Sequence, residues 1–475
     1  MKRLNPDICV IGGGSGGLTV AAAAAAFGVE VVLIEKARMG GDCLNYGCVP
    51  SKALIAAGKH AHAIAEAPDF GVFAGAPEID FRKVHAHVQS VIASIAPTDS
   101  VERFRALGVT VIEAEAKFRD RRTVVAGDFE IAARRFVVAT GSAPFVPPIP
   151  GLDTVEYLTN ETIFERTRAP KHLIVIGGGP IGMEMAQAHR RLGAEVTVIE
   201  GMKALGKDDP ELVAIVLDAI RAEGVTIHEN TKVTAVERRG KTGVRVTCQT
   251  PGGSLIVDGS DVFVAAGRAA NVAGLGLEAA GIRHDNKGIK VGANMRSSNA
   301  RVYAIGDVAG GLQFTHVAGY HAGLVLQQIL FRLPAKENRR IIPWATYTDP
   351  ELAHVGLSEA DARKEHRSRI SILRWPYAEN DRATAERKTT GLIKIVVGRG
   401  GRILGASIAG AGAGEMINMW ALALHKGLKV SDMRGYVSPY PTMTEIGKRA
   451  AVSYYAPVTR KPFVRWLVRF LRRFG

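Results

Sequence analysis

ICVIGGGSGGLTVAAAAAAFGVEVVLIEK, residues 8–36, is the stretch that decides the fold. An apolar strand runs into Gly12-x-Gly14-x-x-Gly17, a helix of small residues follows, and a second apolar strand ends at Glu35. Each part has a mechanical reason. Gly12 allows a tight turn, Gly14 lets the backbone approach a pyrophosphate, and Gly17 lets the helix pack on the sheet. The helix N-terminus meets phosphate charge, and Glu35 can accept a hydrogen bond from a ribose hydroxyl. Glycines in this pattern say little alone; strand, helix and acid in their proper places make a dinucleotide-binding unit.

The pattern returns in HLIVIGGGPIGMEMAQAHRRLGAEVTVIE, residues 172–200, with Gly177, Gly179 and Gly182 in the turn and Glu200 closing the second strand. Two such units imply two dinucleotides. RFVVATGS (135–142) and DVFVAAGR (261–268) echo the duplication, each an apolar strand closing on a glycine, Gly141 and Gly267. RVYAIGDVAG (301–310) is a further strand, closing on Gly306-Asp307, a place for an acid beside a cofactor.

The chain has 475 residues, too many for one compact core, and a globular composition of 47% hydrophobic and 23% charged residues. The proline-rich PFVPPIPG (144–151) and a change of texture from Ile341, where strand-like LIKIVVG and helix-like GEMINMWALALHKGL mix, divide it. The expected class is α/β, with two Rossmann-like dinucleotide-binding domains plus a C-terminal α+β domain. The first unit should cover 1–150 and resume over 271–340, around the second at 151–270. The α+β domain should cover 341–459 and a basic tail 460–475.

Cysteine is scarce: Cys9, Cys43, Cys48 and Cys248. Such usage fits a reducing compartment, where a close pair is redox-active or metal-binding. Cys43 and Cys48 lie in GGDCLNYGCVPSK, 40–52. Residues five apart in a regular helix are about 8.6 Å apart, whereas a disulfide needs Cα atoms within about 7 Å. Bridging therefore requires an irregular segment. Gly40, Gly41 and Gly47 allow one, and Pro50 disfavours helix at Val49. A helix then starts at Pro50-Ser51-Lys52, whose positive end favours the thiolate. Two unbridged thiols packing a turn, or half a metal site, are the other readings; no second Cys/His cluster has ligand spacing, so no resident metal is expected. Cys9 and Cys248 fall in strands and read as inert core thiols.

The order GxGxxG, GGDCLNYGCVPSK, ATGS, GxGxxG, AAGR and AIGDV resembles the class I pyridine nucleotide-disulfide oxidoreductases, from about Asp7 to Val452. The resemblance implies FAD on the first unit, a nicotinamide cofactor on the second, and a homodimer formed by the C-terminal domain. It implies Cys43–Cys48 as the redox disulfide, with Cys48 facing the flavin and Cys43 attacking the acceptor. Lys52 matches the family lysine near the reactive end of the flavin, Glu184 its ion-pair partner, and Asp307 the aspartate at the FAD ribitol. Lys52 and Glu184 also read as ordinary solvated charges. His316 lies near the flavin's pyrimidine end by its place in the family, or is structural. An acid at Glu200 favours NADH over NADPH, while the nearby Lys203 leaves NADPH open.

One departure matters. Disulfide reductases of the family carry His-Pro near the C-terminus with a glutamate five residues after the histidine; here YVSPYPTMTEIGKRAA has Tyr440, Pro441 and Glu445. Imidazole titrates near pH 6.5 and shuttles protons; a phenol titrates near 10. The segment looks more like mercuric reductase, yet no cysteine follows Cys248. The acceptor is expected to be a metal ion carried by a thiol, a small disulfide or a quinone-like compound. A dihydrolipoyl-dehydrogenase-like reductase is the rival enzyme.

Net charge is +15, and Arg460, Lys461, Arg465, Arg469, Arg472 and Arg473 lie in residues 460–475 with no acid among them. Phe463, Leu467, Phe470 and Phe474 form one helical stripe, the pattern of a helix on anionic lipid or of one docked on a partner subunit. The tail makes an electron-transfer partner of a membrane protein a reading of a different class. Nucleic acid fits poorly, because no recognisable module accompanies the charge. With no secretory signal pattern and no apolar span, the expected location is the cytoplasm, or the inner face of the membrane.

Overall fold

A computed structural model describes residues 1–241 and 243–475. The chain forms two compact units, Met1–Met202 with Thr226–Glu337, and Lys203–Val225 with Asn338–Gly475.

In the first unit, five parallel strands lie in the order Val302–Ala304, Arg135–Val138, Ile8–Ile11, Val31–Glu35, Thr110–Glu113. The central strands are continuous apolar runs, rich in valine and isoleucine, because both faces are covered. Between them runs α1 (Ser15–Ala26), whose small residues bring it close to the sheet. A Cβ at Gly17 would stand 1.9 Å from the Gly12 carbonyl oxygen, so only glycine fits. α2 (Gly41–Asn45) and α3 (Cys48–Glu66) follow.

The second sheet copies the first: Tyr157–Leu158, Asp261–Val264, His172–Ile176, Glu195–Ile199, Thr226–His228, all parallel. Its turn leads into α4 (Pro180–Arg191). The duplication extends to backbone angles. Gly12 has φ +110° and Gly177 +113°, and a Cβ at either would lie 2.4 Å from a carbonyl oxygen, of Ala139 and Ala265 respectively. A ribbon pairing Ser142–Pro144 with Arg268–Ala270 ties the two copies together directly after Gly141 and Gly267.

The second unit is an antiparallel sheet in the order Trp344–Thr346, Glu351–Gly356, Ile403–Gly410, Leu392–Val397, Ser371–Pro376. Helix α5 (Pro210–Ala222) belongs to this unit, although its sequence lies inside the second fingerprint region. Its buried face, Leu212, Val213, Val216, Leu217 and Ile220, is one reason, and charge at its N-terminus is another. Buried Lys394 places Nζ 2.8 Å from Asp209, 2.9 Å from Glu211 and 2.7 Å from Glu359, and Arg374 bonds Glu211 and Glu359. Burial opposes the lysine's charge, but these three carboxylates outweigh it and raise its pKa. Cys9 and Cys248 are buried in strands as expected, and burial pushes both thiols up, Cys248 to about 11.

Candidate active site

Residues 40–52 are irregular where a disulfide would need them to be. α2 ends at Asn45, Tyr46 and Gly47 leave helical geometry, and α3 begins at Cys48. One expectation is corrected. Val49 is helical, because Pro50 sits in the first turn, where a missing N–H costs no intrahelical bond. The helix thus starts two residues earlier than expected, and Cys48 is its first residue.

Both cysteines are thiols here. Cys48 is held toward thiolate, with a pKa lowered to about 6. The hydrogen bond from Cys43 is the largest cause; it outweighs burial, and the Thr315 hydroxyl and the Lys52 charge add to it. Cys43 is pushed up by the same hydrogen bond, by burial and by the thiolate's charge. The two sulfurs are thus differentiated, one anionic and one protonated. Thr315 opens helix α6 (Thr315–Phe331), and its Oγ1 lies 3.3 Å from the Cys48 sulfur. The thiolate therefore faces the positive ends of two helices, which sequence reading did not foresee. His316, the neighbouring residue, stacks on Phe314 with ring centroids 5.3 Å apart.

One turn into α3, Lys52 Nζ lies 2.8 Å from Glu184 Oε2 on α4, and Glu184 is buried. The expected pair is therefore formed, between the helix that starts at Cys48 and the helix that starts at the second fingerprint.

A second network lies around Asp307. Its Oδ2 accepts from Ser142 Oγ at 2.5 Å, and Arg268 donates to Ser142 Oγ at 2.7 Å and to the Ser142 carbonyl at 2.8 Å. Burial raises the Asp307 pKa against the opposing effects of Ser142 and Arg268. Arg268 also reaches Asp42 on α2 at 3.1 Å, and Asn160 donates to Asp42 and to the Tyr46 carbonyl. The adjacent Gly306 N–H donates to His321 Nδ1 at 3.2 Å. That bond leaves the ring proton on Nε2, 3.0 Å from Glu337 Oε1. Ser142 and Arg268 ended the echoed strands in the sequence, but nothing local foretold that they meet.

The two fingerprint acids do the same job in each copy. Glu35 accepts from Gly13 N at 2.5 Å and Ala37 N at 2.7 Å; Glu200 accepts from Gly178 N at 2.7 Å and Met202 N at 2.8 Å. Each carboxylate holds its own glycine turn and keeps lone pairs for a ribose hydroxyl.

The turns fit dinucleotides. A Cβ at Gly179 would meet nothing within 4 Å, and one at Gly14 would meet only the Gly41 Cα at 3.8 Å. α1 and α4 have no side-chain cap, so their first N–H groups are free to take a pyrophosphate, whereas Asp209 caps α5. Gly141 and Gly267, at φ +68° and +122°, likewise face open space.

A cavity of about 410 Å³ opens beside Cys43. Ser15, Thr19, Asp99, Arg103 and Thr315 supply its polar wall. Burial raises the Asp99 pKa, and Arg103 opposes that rise.

In the second unit, Tyr440 is 68% exposed and its hydroxyl donates to Asp381 Oδ2 at 2.7 Å. That bond and the carboxylate's charge raise the phenol's pKa. Glu445 begins α7 (Glu445–Ser453).

Comparison with known proteins agrees with this geometry. Residues 6–322 match the family described as pyridine nucleotide-disulphide oxidoreductase, and 342–451 its dimerisation domain. A mercuric reductase from Streptomyces lividans is 34% identical over 96% of this chain and 97% of its own length. A dihydrolipoyl dehydrogenase from Bacillus subtilis is 35% identical over 94% and 96%. The solved Cu(II) complex of the HOCl-induced flavoprotein disulfide reductase RclA from Escherichia coli superposes with a TM-score of 0.84 at 26% identity, covering 94% of this chain and 99% of that one. With both its fingerprint region and its C-terminal domain matched, the chain belongs to the pyridine nucleotide-disulfide oxidoreductases, a family of flavoenzymes that use FAD and NAD(P)H.

Proposed function

We propose that this enzyme uses NADH to reduce a soft metal ion carried by small thiols, in the manner of a mercuric reductase. The single observation that carries the reading is Tyr440. Its phenol stands where the family's disulfide reductases place an imidazole, is bonded to Asp381, and has its pKa raised. A proton shuttle at neutral pH is therefore poor, and a leaving thiolate would go unprotonated. A metal ion held by two thiolates does not need that shuttle in the same way, because thiolate sulfur is itself the ligand a soft ion prefers.

FAD is assigned to 1–150 with 271–340, the nicotinamide to 151–270, and the dimer contact to 341–459. In this reading Gly12, Gly14 and Gly17 admit one pyrophosphate and Gly177, Gly179 and Gly182 the other; Glu35 and Glu200 take the ribose hydroxyls, and Asp307 binds the flavin's sugar chain. When bound, FAD would supply two-electron chemistry between the nicotinamide and the cysteine pair. The protein's own part is to hold Lys52 by Glu184 beside that exchange, to keep Cys48 ionised, and to present Cys43 to the cavity. The balance is NADH plus Hg(SR)2 plus one proton giving NAD+, Hg(0) and two RSH. Two electrons leave the nicotinamide, and the two metal–sulfur bonds break.

The rival reading is a dihydrolipoyl-dehydrogenase-like reductase, supported by the 35% identity to the Bacillus subtilis enzyme. NADH consumption with thiol-bound Hg(II), thiol-bound Cu(II), lipoamide, glutathione disulfide and a soluble quinone separates them. Turnover with metal, abolished in Cys43→Ser, is the expected result. Lipoamide turnover exceeding it would overturn the proposal. Quinone reduction that survives Cys43→Ser, with no metal turnover, would do so too.

A further inference from the structure

We propose that residues 460–475 seat the protein on the surface of an anionic phospholipid bilayer. The segment folds into helix α8 (Pro462–Leu471), and none of its residues is buried. Phe463 is 68% exposed, Trp466 56% and Phe474 74%. These rings follow one another along the segment: Phe463–Trp466 at 5.9 Å, Trp466–Phe470 at 5.8 Å, Phe470–Phe474 at 5.2 Å. Aromatic side chains of this size normally bury most of their area, so the ladder is a face awaiting a cover.

Charge identifies the cover. At about 100° per residue, Arg465 and Arg469 stand on the far side of the helix from Phe463 and Phe470. Six cations lie in sixteen residues without one acid. A second copy of this helix is a poor occupant, because a two-fold contact through it would bring two segments of six cations each together. Nucleic acid is a poor occupant as well, since no recognisable nucleic-acid-binding module accompanies the charge. An anionic bilayer suits both faces. The rings enter the headgroup–acyl boundary, while the arginines stay at the level of the lipid phosphates. At ten residues the helix is about 15 Å long, half of a bilayer core of about 30 Å, and must lie in the plane. Among the described residues no helix is long and apolar enough to cross a membrane.

The test is sedimentation of the full-length protein with phosphatidylglycerol–phosphatidylcholine vesicles and with phosphatidylcholine alone. The expected result is binding at least about tenfold tighter to the anionic vesicles at low salt, weakening as salt is raised. Brominated acyl chains should quench Trp466 fluorescence, and Trp466→Phe should remove that quenching. The combined Arg465→Gln, Arg469→Gln, Arg472→Gln and Arg473→Gln variant should lose the anionic preference while NADH oxidation in solution is unchanged. No sedimentation with anionic vesicles at low salt overturns the proposal, and so does equal binding to both lipids. If Trp466→Ser with Phe470→Ser turns dimer into monomer, and the unaltered chain ignores vesicles, the helix is a subunit contact and the proposal falls.

Discussion

The Thr315 hydroxyl lies 3.3 Å from the Cys48 sulfur, and each residue is the first of its helix. Two helix N-termini and one hydroxyl therefore converge on a single sulfur, with the Lys52 charge close enough to lower its pKa. The rate of alkylation of Cys48 against pH, measured on the reduced protein, should show a midpoint near 6. Thr315→Val removes one donor and should raise that midpoint by about one pH unit. A midpoint unmoved by the substitution would deny Thr315 any part in holding the thiolate.

Tyr440→His should restore a group that titrates near neutrality where the phenol does not. Lipoamide turnover at neutral pH is expected to rise by about ten- to a hundredfold. Turnover of thiol-bound Hg(II) should change little. Steady-state rates with the two acceptors decide it; a loss with both would mean that the Tyr440–Asp381 bond is needed for the fold of that segment.

Glu200 is held by Gly178 N and Met202 N, so its charge is fixed at the end of its strand. A 2′-phosphate there would meet an acid, and kcat/KM should favour NADH over NADPH by at least about tenfold, or about 1.4 kcal/mol. Glu200→Gln should narrow that ratio, mostly by improving the KM for NADPH. An equal preference in the unaltered protein would refute the assignment.

Lys394 is the buried centre of three carboxylates, and Lys394→Met would leave Asp209, Glu211 and Glu359 without it. Removing one member of a buried ionic cluster costs about 3–5 kcal/mol, and thermal unfolding should report a lower Tm. Glu211 adds a pH signature. Its hydrogen bond to Arg374 leads the causes that bring its pKa down from 4.5 to about 2. The folded state thus favours the carboxylate. Its contribution is complete above about pH 4.5 and is lost as pH falls toward 2. Stability in the Glu211→Gln variant should therefore vary less across that window; an identical acid profile would contradict the account.

Much of this protein is legible along the chain, because its informative features are local. The two strand–glycine–helix–strand units, the acids Glu35 and Glu200 and the break that lets Cys43 approach Cys48 all follow from backbone sterics over a few tens of residues. Gly12 and Gly17 have no alternative, since a Cβ would collide with a carbonyl. The start of α3 was misplaced because a proline is judged differently in a first turn than inside a helix, and only the finished helix shows which it is. Tertiary structure alone decided the rest. Thr315 comes to Cys48, Arg268 to Asp42 and Ser142, and Lys394 to Asp209, each across more than a hundred residues of chain. Serine, threonine, arginine and lysine are common surface residues, and sequence carries no period or motif for them. They acquire their roles when parallel strands bring distant loops to one edge of a sheet, where a hydrogen bond and a nearby charge set which sulfur is ionised.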